Sequence, residues 1–204
     1  MIQSSAAAKR VYQFKVELHD INPPIWRRIQ VPESYTFWAL HVAIQDAMGW
    51  QDYHLHEFRL KRKHAHKITR IGLPDDDEFE EDTKTEIGWT IGFERVFWSE
   101  VGSVFEYEYD FGDGWVHDMT HEGILIREPG VSYPRCIGGE RACPPEDCGG
   151  PPGYADLIEI LADPDHEEYD GMRMWAGDAY DPKQFDAMAV TFDNPEIRLR
   201  KAFA

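Results

Sequence analysis

The feature that most constrains this chain is a long alternating segment, VFEYEYDFGDGWVHDMTHEGIL, at residues 104–125. Neighbouring side chains of a strand point to opposite faces, so the pattern predicts two strands that share one buried aromatic face. We place the turn at residues 112–114, which pairs Phe111 with Trp115. A turn shorter by one residue would move the histidines that follow beside the acidic side chains. On the aromatic face this register places Phe105, Tyr107, Tyr109, Phe111, Trp115, His117, Met119 and His121.

Before the hairpin, the chain alternates between strand and helix patterns. Residues 9–19 and 25–31 are separated by an Asn-Pro-Pro turn, and they read as an antiparallel pair of strands. Apolar residues at helical spacing in the segment 37–48 predict a helix that ends at Gly49. Residues 54–61 return to alternation, which places both histidines of HLHEF on one side of a strand.

After the hairpin, the sequence predicts short helices. Asp or Asn precedes Pro three times, and each pair fits a helix N-cap followed by proline in the first turn. A further short helix is expected within residues 89–101. Together these elements predict an α+β fold in one domain, residues 1–204, in which an antiparallel or mixed sheet is covered by the helices. The predicted C-terminal helices span 153–162, 164–176, 182–190 and 195–203.

The charge of the chain limits its partners. Asp and Glu number 38 against 21 Lys and Arg, which gives a formal net charge of −17. Such a field repels polyanions, so nucleic acid is not an expected partner. A basic run at residues 59–67 is interpreted as a solvated strand end, and the acidic segment at about 74–86 as a mobile surface loop.

The same sequence indicates a compartment. We find no apolar run of the about 20 residues that a membrane span needs, and no apolar signal core at the N-terminus. Three cysteines fit a disulfide framework poorly, so we expect a cytoplasmic protein whose thiols are reduced or bound to metal.

The cysteines could hold zinc. Cys136, Cys143 and Cys148 follow a C-x6-C-x4-C spacing, and His117 or His121 could supply a fourth ligand. Against this hypothesis, the segment has no C-x2-C pair, and two prolines limit how its backbone can wrap an ion. The alternative, which we favour, is a proline-stiffened loop whose thiols pack as small apolar groups.

A second metal hypothesis uses His54 and His56. Two imidazoles on one side of a strand, with Asp110 or Asp113, could form an open site for iron, manganese or zinc. The architectural alternative is a histidine pair hydrogen-bonded at the rim of the sheet.

The remaining candidates lie in two glycine-rich turns. In DFGDGWVH, carboxylates and His117 suggest acid–base chemistry only if their side chains converge, and Trp115 is interpreted as core. In the cysteine segment, Glu146 and Asp147 precede two glycines and a helix, and we expect them to cap that helix.

These strings also carry a resemblance. LHVAIQDAMGW with HLHEF, YEYDFGDGWVH, ACPPEDCGGPPGY and DPDHEEYDGM resemble the plasmid pRiA4b ORF-3-like family across nearly the whole chain. The resemblance implies an association with plasmids and insertion elements but no settled activity. The matching positions are Asp110, Phe111, Gly112, Asp113, Trp115, His117, Cys143, Pro144, Pro145, Asp147, Gly149 and Gly150.

Three function classes follow from the sequence. The leading hypothesis is a cytoplasmic accessory or protein-interaction module, with a protein partner or a second copy of itself and no required cofactor. The alternative is a zinc- or iron/manganese-dependent enzyme, of the hydrolase kind. The third is a DNA-related factor, which rests on the mobile-element association and is opposed by the net charge.

Replacing Cys143 by serine separates the two cysteine hypotheses. If the thiol is only packed, we expect the free energy of unfolding to fall by about 1 kcal/mol, as for a typical point substitution. If a structural zinc is bound there, metal binding is coupled to folding, and circular dichroism should show loss of the C-terminal helices.

Overall fold

Eight strands form one mixed sheet. The computed structural model describes residues 9–61, 68–74, 85–96 and 101–203. Along the sheet the strands follow the order β5-β4-β3-β6-β7-β1-β2-β8, and the pairing is antiparallel except between β4 and β5. The strands are β1 Arg10–Leu18, β2 Trp26–Pro32, β3 His56–Lys61, β4 Ile68–Gly72, β5 Glu86–Ile87, β6 Val104–Tyr109, β7 Trp115–Ile126 and β8 Arg135–Glu140.

Four α-helices accompany the sheet, which confirms the predicted α+β class. Two single 3-10 turns, Gly88–Thr90 and Phe93–Arg95, stand where one short helix was expected. Within the described part of the chain, no helix has the length and apolar character needed to cross a lipid bilayer. The helices are α1 Phe37–Met48, α2 Gly150–Ala162, α3 Tyr169–Ala176 and α4 Pro195–Ala202.

Helix α1 begins and ends where its sequence predicts. The Thr36 hydroxyl accepts a hydrogen bond from the Ala39 amide, and Gly49 ends the helix in the left-handed conformation with φ 93°. All its residues except Asp46 are buried. One side packs on the aromatic face of the sheet, and the other is covered by α4, where Arg198 lies 2.7 Å from the Asp46 carboxylate. A helix buried on both sides explains why its sequence is apolar almost throughout.

The hairpin of β6 and β7 keeps the predicted face but not the predicted turn. Tyr109 pairs with Trp115, so five residues, 110–114, form the connection instead of three. Phe111 therefore pairs with nothing and is 52% exposed. The observed turn is two residues longer than the predicted one. A change of two residues leaves each side chain on the same face, so the buried face still continues from Tyr107 to His117 as predicted.

Three further expectations were wrong. Residues 182–190 form turns rather than a helix, and α3 starts at Tyr169 because Asp163 accepts a hydrogen bond from the Asp165 amide in a local turn. Only the Asn194–Pro195 pair caps a helix. Strand β3 starts at His56, so His54 lies in the loop before it and the two histidines do not share a strand face.

The acidic segment falls mostly outside the described residues. Residues 75–84 and the basic residues 62–67 are not described, so the predictions of a mobile loop and a solvated basic end stay predictions. Glu86, at the boundary we assigned to the loop, belongs instead to strand β5. Arg59 lies in β3, where its guanidinium is bound to Glu106.

The start of α2 rests on the hairpin turn. The Gly149 amide donates to the Asp113 carboxylate at 3.0 Å, so the acid that caps this helix comes from the hairpin. Glu146 and Asp147 do not cap it, and that expectation was wrong. At Gly150, φ is 68° and a Cβ atom would overlap the carbonyl oxygen of Asp113. Glycine is therefore required for the two segments to approach this closely.

Replacing Gly150 by alanine should lower the free energy of unfolding by more than about 2 kcal/mol, because it combines a left-handed backbone with a backbone clash. Urea denaturation measures this change. Gly171→Ala in α3 is the matched control, since no atom lies within 4 Å of its Cβ position and its φ is not positive. That control should be neutral or stabilising by about 0.5–1 kcal/mol. Equal effects of the two substitutions would contradict the close-approach argument.

Candidate functional site

Three loops meet at one end of the sheet. They are residues 50–55 between α1 and β3, residues 110–114 in the hairpin, and residues 141–149 before α2. β3 begins beside the end of β6, which brings the first two loops together. The third is tied to the first by a hydrogen bond from the Trp50 indole to the Pro144 carbonyl, 2.9 Å long. The strings HLHEF, DFGDGW and CPPEDCGG, far apart in sequence, therefore share one place.

One imidazole nitrogen at this place faces three carboxylates. His54 Nε2 lies 3.0 Å from Asp147 Oδ1, 3.6 Å from Asp110 Oδ2 and 3.9 Å from Glu146 Oε2. The nitrogen is buried, and among the described residues its contacts with these carboxylates are ion-pair contacts rather than hydrogen bonds. We call His54, Asp110, Glu146 and Asp147 the His54 cluster.

Glu146 is held by groups of the first loop. Its Oε1 accepts a hydrogen bond of 2.6 Å from the Gln51 amide, and the Tyr109 hydroxyl lies 3.2 Å from both oxygens. The Tyr53 amide donates in turn to that hydroxyl at 3.0 Å. Burial, together with the charge of Glu146, raises the pKa of Tyr109 well above its usual value, so the phenol stays a donor to the carboxylate.

Asp110 and Asp147 both take the left-handed backbone conformation, with φ 55° and 57°. Asp and Asn tolerate this conformation better than other non-glycine residues. Asp110 Oδ1 accepts from the amides of Gly112 and Asp113, and its other oxygen is the one that faces His54. The Asp147 side chain is 67% exposed, so the cluster is open to solvent on that side.

The chemistry of this set is that of a cation site. Ligand atoms of His54, Asp110 and Asp147 all lie within 4.8 Å of one another. Three carboxylates this close repel one another, and a bound divalent cation would offset that repulsion. Carboxylate oxygens with one imidazole suit manganese, iron or zinc, and a solvent-open side leaves room for water on the ion.

In a second group, His41 is hydrogen-bonded to Asp52 and stacked against His56. His41 Nε2 lies 2.8 Å from Asp52 Oδ1, and its Nδ1 lies 2.8 Å from the Tyr107 hydroxyl. The His56 ring is stacked on His41 with centroids 3.4 Å apart and planes 8° apart. Parallel stacked rings cannot aim their lone pairs at one ion, and both nitrogens of His41 already have partners. His56 therefore packs in the interior. The prediction that it forms one site with His54 was wrong.

His117 and Trp115 are also interior residues. Both are buried, and His117 Nδ1 donates to the carbonyls of Tyr107 and Trp115 at 3.2 and 3.1 Å. Asp113 caps α2, and so it does not join the cluster.

The cysteines are free thiols. Cys136 donates to the Gly138 carbonyl, and the pKa values of Cys136, Cys143 and Cys148 are all raised by burial. Among the described residues, the cysteines and His117 do not form a group of three or more ligands close enough to hold one ion.

Exposed apolar side chains surround the His54 cluster. Tyr53 and Leu55, on either side of His54, are 67% and 56% exposed, and Phe111 follows Asp110 with 52% exposure. Large apolar side chains beside a polar cluster are typical of a surface that meets a ligand or a protein.

Comparison with known proteins identifies the family. A family model described as plasmid pRiA4b ORF-3-like protein matches residues 10–189. The chain belongs to this family. The members of the His54 cluster all lie inside the matched segment.

The chain is also similar to two other proteins. The uncharacterized protein y4hQ of Sinorhizobium fredii strain NGR234 is 33% identical over 182 residues, covering 89% of this chain and 87% of its own. The crystal structure of MM3350 from Methanosarcina mazei Go1, a protein of unknown function, matches with a TM-score of 0.80 and 41% identity. That match covers 90% of this chain and 98% of the other.

Burial of His117 predicts a loss of stability in acid. Burial lowers its pKa from 6.5 to about 4, and the unfolded chain restores the higher value. Between these values the unfolded state binds more protons, so stability is fully present above about pH 6.5 and falls towards pH 4. The difference corresponds to about 3 kcal/mol.

The variant His117→Asn keeps a donor for the carbonyls but does not titrate. Urea denaturation at several pH values should show that the advantage of the wild type over this variant shrinks by about 3 kcal/mol from pH 7 to pH 4. The control is His19→Asn, because Asp118 raises the pKa of exposed His19 and its contribution has the opposite sign. Parallel curves for wild type and His117→Asn would contradict the assignment.

Proposed function

We propose that this protein is a metal-dependent enzyme, a hydrolase, that binds one divalent cation at the His54 cluster. The observation that supports the proposal is the buried His54 Nε2 with three carboxylates within 4 Å. This site replaces the His54–His56 pair of the sequence hypothesis. It keeps His54 and Asp110 and adds two acids from the cysteine loop.

The ligand set indicates which cation to expect. Carboxylates alone favour magnesium or calcium, and imidazole favours zinc, iron or nickel, so the mixed set fits manganese or ferrous iron, with zinc next. An ion held by His54, Asp110, Glu146 and Asp147 would supply the chemistry of metal-assisted hydrolysis, which is the activation of water as a nucleophile.

The surroundings support a preformed site. Asp110 is fixed by its turn, and Glu146 is fixed by the Gln51 amide and the Tyr109 hydroxyl. Partners of this kind orient metal ligands before the ion arrives. The exposed Asp147 can close on the ion with little change elsewhere.

Elemental analysis tests the proposal directly. We expect one manganese, iron or zinc ion per chain in purified protein, lost on dialysis against a chelator and restored by adding the metal. Titration calorimetry should show the affinity of Asp147→Asn and His54→Gln reduced at least about tenfold, since even outer-shell partners of metal ligands contribute about 10–100-fold. Asparagine at 147 tolerates the left-handed backbone, so the fold should be preserved.

The matched control is His19→Asn. His19 also lies between carboxylates, 3.0 Å from Asp118 and 3.5 Å from Asp20, but on an exposed surface away from the site. This variant should bind metal as the wild type does. Absence of stoichiometric metal in both purified and reloaded protein would reject the cation site.

A hydrolase assay tests the enzymatic part separately. Model carboxylic and phosphoric esters of p-nitrophenol should be cleaved by the metal-loaded protein, and cleavage should be lost in Asp147→Asn. If the protein binds stoichiometric metal but cleaves none of these esters, the cation site would stand and the proposal of a hydrolase would be rejected.

The second candidate function is the protein-interaction module favoured by the sequence. The exposed apolar residues Tyr53, Leu55 and Phe111 support it, because such residues are typical of contact surfaces. We place either function in the cytoplasm as a proposal, in keeping with three free cysteines. A DNA-related role has no support in the formal charge of −17.

A further inference from the structure

A groove runs between α2 and α3 beside the His54 cluster. Its volume is about 420 Å³, within the usual range for a ligand site. Asp147 and Cys148 lie at its end, so Asp147 belongs to the cation cluster and to the groove wall. A ligand in the groove would therefore lie next to the proposed metal.

The floor of the groove is apolar. Leu157 and Ile160 from α2 face Met172 and Trp175 from α3 across it. Trp175 is 49% exposed, so part of this apolar floor is open to solvent. Exposed tryptophan and methionine are the residue types that most often anchor a protein partner.

The walls of the groove are acidic. Asp147, Asp156 and Glu168 line it, and no lysine, arginine or histidine is among the described residues of its lining. Arg173, on the same helix as Trp175, is engaged elsewhere, since its guanidinium donates to the Tyr180 carbonyl at 2.6 Å. The formal charge of −17 extends the negative field around the groove.

We propose that this groove binds a basic segment of a partner polypeptide, with arginine or lysine side chains beside apolar residues. The aliphatic stem of such a side chain would cover the apolar floor while its charged end meets the carboxylates. The indole face of Trp175 adds an attraction for the cation. The groove gives the interaction-module function a location and a partner chemistry. It does not require the metal, so either proposal can fail without the other.

Peptide binding tests the inference. The probe is a short fluorescein-labelled peptide of arginine and leucine, and its counterpart carries glutamate in place of arginine. Fluorescence anisotropy with chelated, full-length protein should show binding of the basic peptide only, weakened by salt as expected for charge attraction. Failure of the basic peptide to bind, or equal binding of the acidic one, would overturn the proposal.

Charge reversal locates the binding. Asp156→Lys places a cation in the groove wall, and we expect affinity for the basic peptide to fall at least about tenfold. The matched control is Glu159→Lys, the same charge change at an exposed position of α2 outside the groove lining, which should change affinity less than about twofold. Equal losses in both variants would mean that net charge, rather than the groove, attracts the peptide, and would overturn the assignment.

A second variant tests the apolar floor without changing the charge of the groove. Trp175→Ala should lower peptide affinity about tenfold, since a tryptophan anchor contributes at least this much at an interface. Sedimentation analysis of the free protein tests whether a second copy of the chain occupies the groove instead. A wild-type dimer that Trp175→Ala converts to a monomer would show that a second copy fills the groove and would overturn the inference.

Discussion

The structure depends on the contact between the hairpin turn and the start of α2. The Asp113 side chain binds the Gly149 amide, and Gly150 lets the two backbones approach more closely than any side chain would permit. This contact fixes the cysteine loop over the end of the sheet. Together with the hydrogen bonds that Trp50 and Gln51 donate to the same loop, it positions Glu146 and Asp147 relative to His54 and places the wall that the α2–α3 groove shares with the cluster.

The interior of the sheet adds a second constraint. His41, His56, His117 and His121 are all buried among aromatic rings, and burial lowers the pKa of the first three. Neutral imidazoles can pack as flat rings and still bind hydroxyl, carbonyl or carboxylate groups. These four histidines therefore serve architecture, as the sequence suggested. His54 differs from them, because the loop before β3 holds it outside the sheet.

The sequence predicts this fold well where periodicity decides and poorly where loop contacts decide. The aromatic face of the hairpin followed from alternation, and the end of α1 followed from Gly49. The turn at 110–114 did not, because two turn lengths that differ by two residues give the same face. All four members of the cluster were among the candidate residues of the sequence, and His54 and Asp110 were expected together. Glu146 and Asp147 were assigned to helix capping, since nothing in their spacing shows that the loop folds back.

The left-handed backbone at Asp110 and Asp147 has a consequence for how this family can diverge. These positions accept aspartate, asparagine or glycine with little strain, and only aspartate among them is ionised. The shape of the site and its negative charge are therefore specified separately. A single aspartate-to-asparagine exchange would remove that charge in one lineage while leaving its scaffold intact, so relatives with the same architecture need not carry the same charge at this place.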